Sequence, residues 1–262
     1  MNMSDPMFDR LESFLADGPF LRAAIAAGEI ETVFQPQYAL PADILVGAEA
    51  LARWQHPERG EIGAQTLFAL AAEEGVTAEL SRHVALSAFE QFRSWPQHLR
   101  LSVNVTPEEV ESEDFASRFL VEIAEAGIDP ARLTAEITEE VLLGDLPHAA
   151  TSLGRLQQAG MRTALDDFGA GFCNFRYLKM LPLNYLKLDR LMVDGIVEDE
   201  RDLAVLRGIV AMANALGLDV IAEGIEREGQ RALVSAEGCN TYQGFLKAAP
   251  MSGRRFLALA NA

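Results

Sequence analysis

Five carboxylates recur along the chain, each closing or following a short, mostly apolar run. Glu49 follows Val46-Gly47-Ala48, Glu136 follows Leu133-Thr134-Ala135, Asp166-Asp167 follows Thr163-Ala164-Leu165, and Glu223 follows Val220-Ile221-Ala222. Asn104 after Leu101-Ser102-Val103 and Lys187 after Tyr185-Leu186 repeat the arrangement with an amide and an ammonium. Gln35 after Phe34 and Gln243 after Asn240-Thr241-Tyr242 complete eight such runs. Strands that each deliver a polar group at the C-terminal end describe a site at the mouth of a β/α barrel. So many carboxylates in one mouth repel one another unless cations neutralise them. Oxygen donors without His or Cys suit Mg2+ or Mn2+ rather than Zn2+. Two such ions roughly 3.5–4 Å apart can share a carboxylate and activate a water for in-line attack at phosphorus. Arg53, whose guanidinium matches phosphate oxygens, and Lys187 favour phosphoryl chemistry.

Each residue also has a blander reading. Glu49 can pair with Arg53, Lys187 with Asp189, and Asp166-Asp167 can be an acidic turn before a helix. Thr138 or Glu139 can cap a helix, Asn104 can form a turn, Glu223 can sit favourably at a helix N-terminus, and Gln243 can be a loop amide. Joint placement at successive strand ends favours one site. Trp54 reads as core, and His56, His83, His98 and His148 fall in helices or loops with no catalytic role.

The elements that must position these groups follow from periodicity. Helical patterns occupy roughly 7–27, 64–75, 78–95, 113–126, 145–159, 173–181, 199–216 and 226–237. Alternation with the apolar runs implies a largely parallel sheet with helices outside. Two helical stretches between the second and third runs make the early units irregular. The 262 residues, 49% hydrophobic, suffice for one barrel. A net charge of −17 disfavours duplex nucleic acid and anionic membranes, which need basic patches. It leaves room for a small phosphorylated ligand beside bound cations. Cys173 and Cys239 are far apart and read as free thiols. No signal peptide or apolar membrane span is legible, so the expected location is cytoplasmic. The chain reads as one domain, which can be a piece of a longer protein.

Glu49-Ala50-Leu51 followed by Arg53-Trp54 resembles the signature of EAL domains, bacterial cyclic-di-GMP phosphodiesterases. Phe34-Gln35-Pro36, Val103-Asn104, Glu136-Ile137-Thr138-Glu139, Asp166-Asp167-Phe168-Gly169, Lys187-Leu188-Asp189, Ala222-Glu223-Gly224-Ile225-Glu226 and Gln243-Gly244-Phe245 match that family in order, from about Phe34 to Pro250. The resemblance implies a modified (β/α)8 TIM-like barrel whose first strand is antiparallel. The chain is expected to divide into an N-terminal helical segment, 1–29, packing on a barrel, 30–262, as one domain overall. The resemblance implies hydrolysis of cyclic-di-GMP to linear pGpG at a site with two Mg2+ or Mn2+ ions. Glu49, Asn104, Glu136 and Asp166 would hold one ion, and Asp166 would bridge to a second held with Asp167. Glu223 would bind metal or orient the attacking water, and Lys187 would position that water and stabilise developing charge. By the same carry-over Glu49, Lys187 and Glu223 are the catalytic set. Gln35, Arg53 and Gln243 would contact substrate, and Glu139 would brace the loop after Asp167. A homodimer, and fusion or coupling to sensory or GGDEF domains, are also implied. One departure stands out: where family members usually carry Gly-Thr-Gly-Tyr-Ser-Ser-Leu, this chain has Gly169-Ala170-Gly171-Phe172-Cys173-Asn174-Phe175, with the hydroxyls lost. That change motivates an alternative, a receptor that binds cyclic-di-GMP without cleaving it. A third reading is an unrelated metal-dependent barrel enzyme that stabilises an enolate.

Overall fold

The computed structural model describes residues 20–169 and 178–262. It opens with a long antiparallel hairpin, β1 (Ile30–Ala39) and β2 (Ile44–His56), in which Gln35 faces Glu49. A short β3 (Gly60–Gly63) folds back on the far end of β2. Six parallel additions follow: β4 (Arg100–Asn104) beside β2, then β5 (Leu133–Thr138), β6 (Arg162–Phe168), β7 (Tyr185–Leu188), β8 (Asp219–Ala222) and β9 (Thr241–Tyr242). β9 meets β1 antiparallel and closes an eight-stranded barrel of β1, β2 and β4 to β9. A two-residue β10 (Met251–Ser252) pairs with β1 outside that ring.

The helices are α1 (Leu21–Ala27), α2 (Ala64–Glu74), α3 (Thr77–Phe92), α4 (Pro107–Glu111), α5 (Phe115–Glu125), α6 (Leu146–Gln158), α7 (Glu200–Ala215), α8 (Glu228–Glu237) and α9 (Gly253–Ala260). Six of them match the periodicity within a few residues. The short α4, β3 and β10 carry too few residues to show a period, and α9 was not anticipated. The part of the first helix before residue 20 and most of the stretch expected at 173–181 lie outside the described residues, as does Cys173. No helix among the described residues is long and apolar enough to cross a membrane.

The residues' own alternation implies a largely parallel sheet and gives no sign of an antiparallel first strand. β1 overturns that for one strand and agrees with the family resemblance. It also corrects the picture of polar groups at strand ends. Gln35 lies in mid-β1, β2 runs seven residues past Glu49, and β5 runs two past Glu136. Register, not strand termination, brings these groups level.

Alternation explains the two faces. Leu101 and Val103, Leu133, Ala135 and Ile137, and Leu186 and Leu188 are buried among the barrel helices in the main core. The alternate residues Ser102 and Asn104, Thr134 and Glu136, and Lys187 face inward, because side chains switch faces at each residue. A barrel interior is usually filled by Val, Ile and Leu. Here its upper layers are polar, and that polarity is the site. A second core lies beside the extended hairpin, where Trp54, Ile30 and Ala52 pack with Leu21, Leu67, Leu70 and Leu80. Trp54 is core as expected: it stacks on Phe20 at 5.4 Å and donates through Nε1 to Glu29 at 2.9 Å.

At Gly47, β2 lies close against β4. A Cβ there would lie 2.4 Å from the Arg100 carbonyl oxygen, a backbone atom that cannot move aside. Gly47→Ala is expected to cost about 1–3 kcal/mol by overpacking, read as a lowered urea midpoint.

Candidate metal centre at the barrel mouth

Lys187 is the hub. Its side chain is fully buried, and Nζ lies 2.6 Å from Glu136, 2.8 Å from Glu223, 2.9 Å from Asp166 and 3.2 Å from Glu49. β2, β5, β6, β7 and the residue after β8 therefore each send one charged group to one point. Burial alone would lower the Lys187 pKa, but the carboxylates of Asp166, Glu136, Glu223 and Glu49 hold it well above its ordinary value. The acids respond differently. Burial pushes Glu136 and Glu223 well above the usual carboxylate range, against the pull of Lys187. Glu49 is also buried, yet Lys187 and the amides of Gln243 and Asn104 bring it below its usual value.

Asp166 and Asp167 show how adjacent residues reach one site. Asp167 adopts a left-handed conformation, φ 54°, which Asp tolerates better than most residues. The β6–β7 register shifts between Leu165 and Phe168, so this is a bulge that re-aims side chains. Asp167 N–H donates to Asp166 Oδ1 at 2.9 Å. One oxygen each from Asp166, Asp167 and Glu223 then lie within 4.8 Å of one another, as do those of Glu49, Glu136 and Asp166. Asp166 belongs to both triads.

The amides tie the acids together. Asn104 Nδ2 donates to Glu49 Oε1 at 2.9 Å, and the Ser81 hydroxyl on α3 donates to the Asn104 carbonyl at 3.1 Å. Gln243 Nε2 donates to Glu49 at 2.8 Å and Glu223 at 3.2 Å. Its Oε1 accepts from Gln37 Nε2 at 3.0 Å. Gln37 and Ser81 were not singled out from sequence. Gln37 was findable, since it lies two residues from Gln35 on the same strand face, whereas Ser81 arrives from a helix and carried no signal. Gln35 Nε2 donates to the Ala248 carbonyl at 2.8 Å and pins the segment after Gln243.

The blander pairings do not form. Arg53 lies 3.7 Å from Glu61 rather than against Glu49, and Asp189 accepts from Leu191 N–H at a 3₁₀ turn. Arg53 shares the Glu49 face of β2, four residues or about 13 Å toward the open end. Glu139 starts a 3₁₀ turn beside β6, and both its carboxylate oxygens are buried without a partner among the described residues. The loop Ala170–Asn174, whose bracing it was expected to provide, lies outside the described residues.

The donor set fits divalent cations. It consists of hard oxygens, and Glu136 Oε1 is buried with no hydrogen-bond partner among the described residues. Once cations keep all five carboxylates ionised, they and the one ammonium carry four negative charges, the charge that two divalent ions balance.

Comparison with known proteins came to the same place. A family model described as EAL domain matches residues 20–250. The bifunctional diguanylate cyclase/cyclic di-GMP phosphodiesterase MucR of Pseudomonas aeruginosa is 32% identical over 243 residues, covering 91% of this chain and 35% of that protein. The cyclic di-GMP phosphodiesterase PA2567 of the same organism is 34% identical over 222 residues, covering 84% and 38%. A solved structure described as the PaMucR phosphodiesterase in complex with c-di-GMP superposes with a TM-score of 0.85 at 30% identity, covering 91% of this chain and 98% of that one. The chain spans about a third of the length of the curated relatives it matches.

Two outcomes test the electrostatics. Lys187→Met strands buried charge and is expected to cost about 3–5 kcal/mol without divalent cations, with much of the loss recovered on adding Mn2+, as read by thermal denaturation. Burial, reinforced by Asp166, pushes Asp167 from 3.8 up to about 6. A raised carboxylate destabilises the folded chain as pH rises from 3.8 to 6 and fully above that. The cation-free protein should therefore gain stability as pH falls through 6, while stabilisation by added cations should fade over the same interval. Thermal midpoints at pH 7.5 and 5.5, with EDTA or Mn2+, check both slopes.

Proposed function

The chain belongs to the EAL domain family, and on that premise we propose that it hydrolyses cyclic-di-GMP to linear pGpG. The observation that carries this reading is the convergence of Glu49, Glu136, Asp166 and Glu223 on buried Lys187, with Asp166 common to two oxygen triads. Both relatives named as cyclic di-GMP phosphodiesterases support it. Retention of every expected metal position favours catalysis over a receptor role.

Two Mg2+ or Mn2+ ions fit the donors, with Glu49, Asn104, Glu136 and Asp166 holding one and Asp166, Asp167 and Glu223 the other. When bound they supply Lewis-acid polarisation of the phosphoryl group and a more acidic water. The remaining work falls to side chains. Water oxygen bonds to phosphorus, one P–O ester bond breaks, and the departing ribose oxygen takes up a proton. Glu223, the least buried of the four acids around Lys187, is placed to orient that water. Lys187 offers a fixed cation to the charge developing on phosphoryl oxygens, typically worth a few kcal/mol because it needs no reorganisation. Arg53, further out on the mouth, engages a phosphate or base of the substrate. Gln35 and Gln243 contact substrate after exchanging part of their present hydrogen bonds. Glu139 braces the loop after Asp167.

The same reading assigns 1–29 as a helical segment on a barrel of 30–262, a homodimer, and a cytoplasmic setting in which sensory or GGDEF domains regulate it. Purified chain incubated with cyclic-di-GMP and Mn2+ should release pGpG by chromatography, and EDTA should stop it. Glu49→Ala should lower turnover at least about 100-fold with the circular dichroism spectrum unchanged. Binding without any metal-dependent pGpG would replace the hydrolase reading with the receptor one. Arg53→Lys, which loses the planar fork, should raise KM more than it lowers kcat.

A further inference from the structure

The strands that carry Asn104, Asp166 and Lys187 at the mouth carry Arg100, Arg162 and Tyr185 at the opposite end of the barrel. These residues lie four, four and two positions earlier, on the same inward faces. That places the arginines about 13 Å below the carboxylate cluster. Both guanidinium groups donate through Nη1 to the one phenol oxygen of Tyr185, Arg100 at 3.0 Å. The Arg162 guanidinium also lies 5.6 Å from the Tyr185 ring centroid.

Two cations sharing one acceptor repel each other, and a neutral phenol does not neutralise them. Burial pushes the Tyr185 pKa up, so the phenol stays neutral. Several arginines elsewhere in this acidic chain pair with acids, among them Arg82 with Glu122 and Arg207 with Glu237. Among the described residues, neither the Arg100 nor the Arg162 guanidinium has a carboxylate within ion-pair distance or any hydrogen bond besides that to Tyr185. Asp219, at the exposed start of β8, is near enough to influence Tyr185 but pairs with neither arginine. All three residues of the cluster are half-buried, so solvent reaches them. Their free N–H groups form two forks suited to a tetrahedral oxyanion.

We propose that the closed end of the barrel is a second anion site, in which Arg100 and Arg162 take a phosphate group. It is independent of the chemistry at the mouth. The ligand is phosphate itself or a phosphate monoester of a nucleoside.

Calorimetry on the whole chain tests this, with EDTA present so that cations at the mouth contribute nothing. Inorganic phosphate and guanosine monophosphate are titrated separately into the unaltered protein, Arg100→Gln/Arg162→Gln and Tyr185→Phe. Binding by the unaltered chain, weakened at least about tenfold in the double variant and kept in Tyr185→Phe, is expected. Equal affinity for the two probes identifies phosphate as the whole ligand; tighter guanosine monophosphate identifies a nucleotide. If the double variant does not fold, Arg162→Lys, which keeps charge but loses the fork, should weaken binding several-fold. No binding to the unaltered chain overturns the proposal. So does binding that the arginine substitutions leave unchanged.

Discussion

One buried ammonium holds together a mouth that would otherwise repel itself. Lys187 touches four carboxylates from four different places in the chain, and its side chain is fully buried. A charge buried this deeply is tolerated only with opposite charges at contact distance. The converse also holds: Glu136, wholly buried, has Lys187 as its hydrogen-bonding cation. With all five carboxylates of the mouth ionised, the site carries four negative charges in excess of its one ammonium. A folded structure that keeps such an imbalance in a low-dielectric pocket is prepared for cations. The same imbalance links stability, pH and metal.

The barrel supplies what this constraint demands. Carboxylates must converge without their backbones crowding, and parallel strands separated by helices place one residue per strand at one level. β1 enters from the other direction and closes the ring with antiparallel bonds on both edges. Its residues contribute amides, Gln35 and Gln37, rather than charges. The amides satisfy lone pairs that lysine cannot reach, and fix the segment from Gln243 to Ala248 over that side of the mouth. The bulge at Asp167 departs from regular β geometry among residues whose side chains meet in the site, and there one strand contributes two carboxylates instead of one.

Charge is distributed along the barrel axis as well as around it. Acids crowd the mouth and arginines gather at the base, on the same strands. A period of two links the levels, so that a strand long enough to reach both ends must choose its inward residues twice.

The sequence by itself determined the chemistry: hard oxygen donors, one lysine and one arginine, each tied to an apolar run, with an order that matched one family. It also determined most of the helices, because a 3.6-residue period is local. It did not determine the direction of β1. A two-residue period reads the same both ways, and only the pairing of Gln35 with Glu49 and of Tyr38 with Tyr242 settles direction. It favoured a shared site for Glu49 over a pair with the nearby Arg53, but did not show that Glu49 faces Lys187, 138 residues away, because sequence proximity is visible and spatial proximity is not. Ser81 entered the site from a helix face with no pattern to announce it. The left-handed turn at Asp167 likewise depends on the register of β7. Residue type is written in the chain; which residues become neighbours is decided by closing the barrel, since closure fixes the register of every strand against the next.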